Sequence, residues 1–150
     1  MGAFISLGTG RMSVFGGPAD ESVGPHEGLA LVGPTDLALW WFSCLFLGAQ
    51  PAGTTGLARR LNPRAYYLAM RWDYARLPKA ALRNGFVRLS VPGADDRHVF
   101  ARPVDFGPGD GSVIDGAPTR DTGRLADLSP GVATALGLQT DDLVACEWVG

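Results

Sequence analysis

The stretches that decide the fold are "RPVDFGP" (residues 102–108) and "GRLADLSPGVATALGL" (residues 123–138). Each places one aspartate, Asp105 or Asp127, at the end of an apolar run and then breaks the run at once. The break is Gly-Pro in the first case and a helix start in the second. Ser129 carries the hydroxyl an N-cap needs to accept an N–H of the first turn. Pro130 suits the first helical position because its missing N–H would have had no partner there, and Gly137 suits the residue after the helix. The pattern predicts a short helix over residues 129–136 with Val132, Leu136 and Leu138 toward a core. So short a helix is held by packing and not by its own propensity. Asp127 ends the strand leading into the cap, where the helix N-terminus or Arg124 would stabilise its carboxylate. Asp105 precedes a turn, where an aspartate commonly bonds backbone N–H groups.

Working outward, the chain reads as short strands between Gly and Pro punctuation. "RMSVF" (11–15), "GLALV" (28–32), "AYYLAMRW" (65–72), "VRLSV" (87–91), "HVFARPV" (98–104) and "LVACEWV" (143–149) suggest six strands and a mainly β fold. Pro103 donates no ladder hydrogen bond, so it argues for an edge or a bulge. The loops 48–56 and 107–123 are rich in Gly, Pro, Thr and Asp, and a loop as long as the second is commonly functional.

The apolar run "DLALWWFSCLFLG" (36–48) is too short for a membrane span, which needs about 20 residues. Its large side chains fall nearly all round a helix capped by Thr35 or Asp36, so an inserted, buried helical segment is expected. The alternative is an aromatic binding surface around Trp40 and Trp41.

Composition narrows the partners. The 150 residues suffice for one domain with its own core, over residues 1–150, and 46% of them are hydrophobic. A net charge of −2, with Lys79 the one lysine, gives no basic field for several phosphates, so nucleic acid is excluded as a partner. Cys44 and Cys146 are far apart, lack CxxC spacing and read as buried free thiols. His26 and His98 are single and distant, so no metal site and no cofactor are expected. "DFG" at 105–107 stands without the glycine-rich loop, strand lysine or His-Arg-Asp of a kinase. The chain opens without a secretory signal, which points to a cytoplasmic protein or to export by a dedicated machine.

A strand ending "V-D-x-G-P", a glycine-rich loop, and "G-R-x-x-D-L-S" before an Ala-rich helix ending "A-L-G-L" resembles the second half of double-psi β-barrels of the rare lipoprotein A type. The matching residues are Asp105, Gly107 and Pro108, then Gly123, Arg124, Asp127, Leu128 and Ser129, and Ala133, Ala135, Leu136 and Gly137 in the helix. The resemblance covers residues 87–149, and "SVFGG" (13–17) is similar to the family's opening strand. It implies a six-stranded double-psi-like barrel related to lytic transglycosylases and expansins, closed by "DLVACEWV". It also implies a catalytic aspartate, at Asp105 by the rare lipoprotein A pattern and near Asp127 by the other two. The family's glutamate and histidine have no counterpart in "YYLAMRWDY" (66–74), and Glu27 is the acid that would substitute.

Two expectations follow. The first is a domain that cleaves peptidoglycan or a similar β-linked glycan. Asp105 would be the general acid/base with a raised pKa, supported by Asp127 and Glu27. Trp40, Trp41, Trp72, Arg71 and Arg124 would contact the substrate. The second is a non-catalytic barrel that binds cell-wall glycan or a partner protein in an export or phage-like assembly.

Overall fold

The structure is a computed structural model that describes residues 4–114, 116–118 and 120–150, with only the backbone described at residues 41 and 114. The strands among them are β1 (Ile5–Val14), β2 (Tyr67–Met70), β3 (Val87–Val91), β4 (Ala94–Phe106), β5 (Val113–Ile114), β6 (Ala117–Pro118), β7 (Ala126–Leu128) and β8 (Leu143–Trp148). The helices are α1 (Trp40–Ser43), α2 (Lys79–Arg83) and α3 (Pro130–Leu136). Six strands close into a barrel in the order β1-β7-β2-β4-β3-β8, while β5 and β6 form a separate ribbon in the long loop. The pairs β1/β7 and β2/β4 are parallel and the other four barrel pairs are antiparallel.

Closure leaves Pro103 no edge to occupy, so of its two predicted settings only the bulge remains. The β2/β4 register runs Leu68↔Pro103 and then Ala69↔Asp105, with Val104 as the extra residue. That one-residue shift sets Asp105 opposite Ala69.

β2 is buried on both faces, which is why its sequence is an unbroken apolar run and not an alternating one. Leu68 and Met70 join Met12, Val87, Leu89, Val144 and Cys146 in one core. Tyr67 and Ala69 turn the other way and join Val104 with Phe42, Leu45, Phe46, Leu57 and Leu61 in a second. The segment between β1 and β2 therefore folds back as a cover over β2 and β4. Its anchors Phe42 and Leu61 are 1% and 0% exposed. Burying such a side chain stabilises the fold by about 1.5–3 kcal/mol. Tyr67 is held inside by its hydroxyl, which donates to the Phe15 carbonyl at 3.1 Å. A side chain at Gly16 would collide with that hydroxyl, and Gly16 also has φ 92°, so glycine is required there.

The helix after the second motif forms as its sequence predicts. Ser129 Oγ accepts the Val132 N–H, Pro130 opens α3, and Gly137 ends it in the left-handed conformation at φ 68°. Val132, Ala133 and Leu136 are buried and Leu138 packs against the same core.

Three expectations are corrected. "GLALV" (28–32) is not a strand, and its place in the barrel is taken by the three residues of β7. It runs beside the end of β4, where Leu31 N–H donates to the Val104 carbonyl but Ala30 N–H donates to the Asp105 side chain instead of to a ladder partner. The apolar run 36–48 is no continuous helix. A 3-10 turn (Pro34–Ala38) and α1 are separated by Leu39 in an extended conformation, and Phe46 makes an isolated bridge to Leu61. Asp36 reaches back to the Gly33 N–H and pairs with Arg83 at 2.7 Å, which fixes the 3-10 turn and starts no longer helix. The two thiols differ as well: Cys146 is buried and Cys44 is exposed. No helix among the described residues is long and apolar enough to cross a membrane.

Candidate functional site: an aspartate cleft

The two motif aspartates lie in one transverse row. Ser13 of β1 pairs with Asp127 of β7, Asp127 pairs with Ala69 of β2, and Ala69 pairs with Asp105 of β4. Residues in register across a sheet project to the same face, so Ser13, Asp127 and Asp105 share the outer side of the barrel with Ala69. Asp105 and Asp127 are two strands apart, about 10 Å between their Cα atoms. The small methyl of Ala69 leaves the space between them open.

A cleft of about 660 Å³ lies over this row. Ser13, Asp105 and Asp127 form its floor. Ser22, Val23 and Glu27 line it from the covering segment, and Phe106, Pro108, Asp110, Arg120, Thr122 and Arg124 line it from the two motif loops. The volume lies in the range of small-ligand sites.

Asp105 is half-buried. Its Oδ1 accepts the Ala30 N–H at 2.8 Å, and its main-chain carbonyl accepts the Trp72 indole N–H at 2.8 Å. Burial, chiefly, pushes its carboxyl up to about 6. The N–H groups of Ala30 and Phe106 hold it down in part, and the charges of Glu27 and Asp127 raise it. Asp127 accepts the Ser13 hydroxyl at 2.5 Å. Burial raises its pKa too, against the Ser13 hydrogen bond and the positive fields of Arg124 and Arg71. The row thus holds a carboxyl poised near neutrality beside one tied to a serine. A group that titrates near the working pH can give and take a proton in the same cycle.

The partners expected for Asp127 are replaced. It lies in the middle of β7, with Ser129 and not Asp127 capping α3. Arg124 turns away to make two hydrogen bonds to Asp141, at 2.8 and 3.3 Å, and Arg11 meets the same carboxylate at 3.1 Å. Arg124 nevertheless lines the cleft.

Glu27 stands at the cleft wall, where its Oε2 accepts the Gly24 N–H at 3.0 Å. Arg71 does not line the cleft. Its guanidinium bonds the carbonyls of Pro108, Gly109 and Arg124 at 3.1 to 3.3 Å and so ties the two motif loops together. Trp72 is 6% exposed, does not line the cleft, and serves as a strut whose indole N–H holds the Asp105 carbonyl. Trp40 is 79% exposed but belongs to another hollow. The Trp41 side chain lies outside the described residues. Sequence reasoning missed Ser13, whose signal is only its position before "VFGG", and Arg120.

His26 bonds Thr55 and His98 bonds the Asp95 carbonyl. Among the described residues no three His, Cys, Asp or Glu side chains are grouped to hold a metal. No protein-family model matches the chain, and no curated protein matches it significantly.

Proposed function

We propose that the barrel is of the double-psi kind and that its cleft cleaves a β-linked glycan of the peptidoglycan type, with Asp105 as general acid/base. The fold reading is supported by an internal symmetry of the pairing. Exchanging β1 with β4, β2 with β7 and β3 with β8 reproduces the same six neighbours and the same two parallel pairs. The motif resemblance at Asp105 and Asp127 points the same way.

The single observation that carries the activity is the half-buried Asp105 carboxyl, raised to about 6 on the floor of an open cleft. In the lytic reaction the protonated Asp105 gives its proton to the glycosidic oxygen as the C1–O bond breaks. The resulting carboxylate then takes the proton from the C6 hydroxyl of the same muramyl residue as O6 closes onto C1. Atoms and charge balance within one residue, so no histidine and no water nucleophile is needed. Asp127, held by Ser13, and Glu27 supply negative potential that favours the oxocarbenium-like centre. Arg120 and Arg124 give the cleft donors for substrate carboxylates and amides.

The test is turbidity loss and product mass analysis on purified peptidoglycan. The expected products carry 1,6-anhydro ends, and Asp105→Asn abolishes them while binding persists. Absence of both release and binding in the wild type overturns the reading. One observation favours a second reading, a protein-interaction module: neither Trp40 nor Trp72 lines the cleft, whose aromatic side chains among the described residues are Phe15 and Phe106. Glycan binding without cleavage would instead leave a glycan-binding module.

A further inference from the structure

A second hollow, of about 550 Å³, shares no lining residue with the aspartate cleft. It forms where α1, the entry to β2, the entry to β3 and the middle of β4 meet. Trp40, Tyr66, Phe86 and Phe100 supply aromatic walls, and Arg64 and Arg102 supply charge. No acidic residue lines it among the described residues.

Two features set it apart from ordinary surface. Trp40, Tyr66 and Phe100 are 79%, 41% and 45% exposed, a concentration of large rings that folding alone does not explain. The Arg102 guanidinium stacks on Phe86 with its carbon 4.4 Å from the ring centroid. Stacking leaves the in-plane N–H donors of a guanidinium pointing outward. Burial also lowers the Arg102 pKa from its ordinary value, so the cation is partly stripped of water. Neither Arg64 nor Arg102 has a carboxylate at ion-pair distance among the described residues.

The donor set selects the ligand. Arginine side chains only donate, and the Tyr66 hydroxyl is the one oxygen among the lining side chains that can accept. A neutral sugar would leave most of its own hydroxyl donors without acceptors here. An anion needs only donors. A lipid surface is disfavoured because two arginines on a chain of net charge −2 make no basic field. The size fits a small molecule. We propose that this hollow binds a small organic carboxylate with an aromatic body, its carboxylate held by Arg102 and Arg64 and its ring enclosed by Trp40, Tyr66 and Phe100.

The test titrates the full chain with naphthalene-2-carboxylate and with neutral naphthalene-2-methanol, followed by calorimetry and tryptophan fluorescence. The expected result is saturable 1:1 binding, with the carboxylate favoured by about tenfold or more, as for a hydrogen-bonded charge. Arg102→Gln removes that preference. Trp40→Ala, at an exposed position that should not disturb folding, weakens both probes about tenfold. Asp105→Asn changes neither. Equal affinity for the two probes reduces the hollow to an apolar patch and overturns the proposal. Loss of carboxylate binding on Asp105→Asn places the probe in the other cleft and overturns it too, as does the absence of saturable binding up to the solubility limit.

Discussion

Replacing Asp105 by Asn should stabilise the protein at neutral pH, and the gain should vanish in acid. The carboxyl moves from an ordinary 3.8 to about 6 on folding. The native state therefore holds its proton where the unfolded chain has already released it. Stability then falls as pH rises through this window and is level above it. The size of the loss follows from the two pKa values, at about 1.4 kcal/mol for each tenfold change in proton affinity, which gives an upper bound of about 3 kcal/mol. Asn is neutral at every pH and keeps an oxygen for the Ala30 N–H, so it removes the loss and retains the hydrogen bond. For a chain of this size 1 kcal/mol moves Tm by about 2–4 °C, so a rise of several degrees is expected at pH 7.5. Thermal melts followed by circular dichroism at pH 4 and pH 7.5 measure it. The two proteins should melt nearly together at pH 4. A variant less stable than wild type at pH 7.5 would refute the reasoning, because it would mean that the charged carboxylate braces the turn.

Glycan cleavage, read as kcat/KM across pH, should fall as pH rises through about 6, since the first step needs Asp105 protonated. Ser13→Ala removes the hydroxyl that bonds the Asp127 carboxylate and should cost about 1–2 kcal/mol at pH 7.5. That cost should shrink in acid as Asp127 gains a proton, and denaturant melts at two pH values would show it. Ser129→Ala deletes the cap of α3 and a hydroxyl that also faces the Tyr67 N–H, so a loss of about 1–2 kcal/mol is expected by urea unfolding at any pH between 5 and 8.

What the sequence disclosed depends on how local the cause was. The α3 cap is written in Ser129, Pro130 and Gly137 because capping is chemistry between near neighbours. Pro103 announced an edge or a bulge for the same reason, since a missing N–H is a local fact, and barrel closure decided between the two. β7 stayed nearly silent because three residues carry little periodicity, and its place in the barrel depends on Met12 to Val14 and Leu68 to Met70 far away. "GLALV" carried a strand's pattern, yet the Asp105 carboxylate takes the Ala30 N–H that a ladder would have used. The aspartates were legible as a pair through their motifs, and the shared register with Ala69 is the tertiary reason they meet. The setting of each tryptophan was not legible because ring chemistry does not say which face is covered. Only the fold puts Trp72 beneath Asp105 and leaves Trp40 at a different hollow.

The strand pairing also says how the barrel can be taken apart. β1, β2 and β3 never pair with one another, nor do β4, β7 and β8: all six barrel ladders join one set to the other. The sole covalent hairpin between the sets turns at Pro92 and Gly93. A chain opened at that turn would yield two pieces, each without a single barrel ladder of its own. Neither could be a small barrel, and each would be the complete template for the other. Such a protein resembles an interlocked heterodimer whose halves are synthesised in tandem, and its two fragments would regain the barrel only when both are present, while the core beneath the covering segment lies almost wholly within the first.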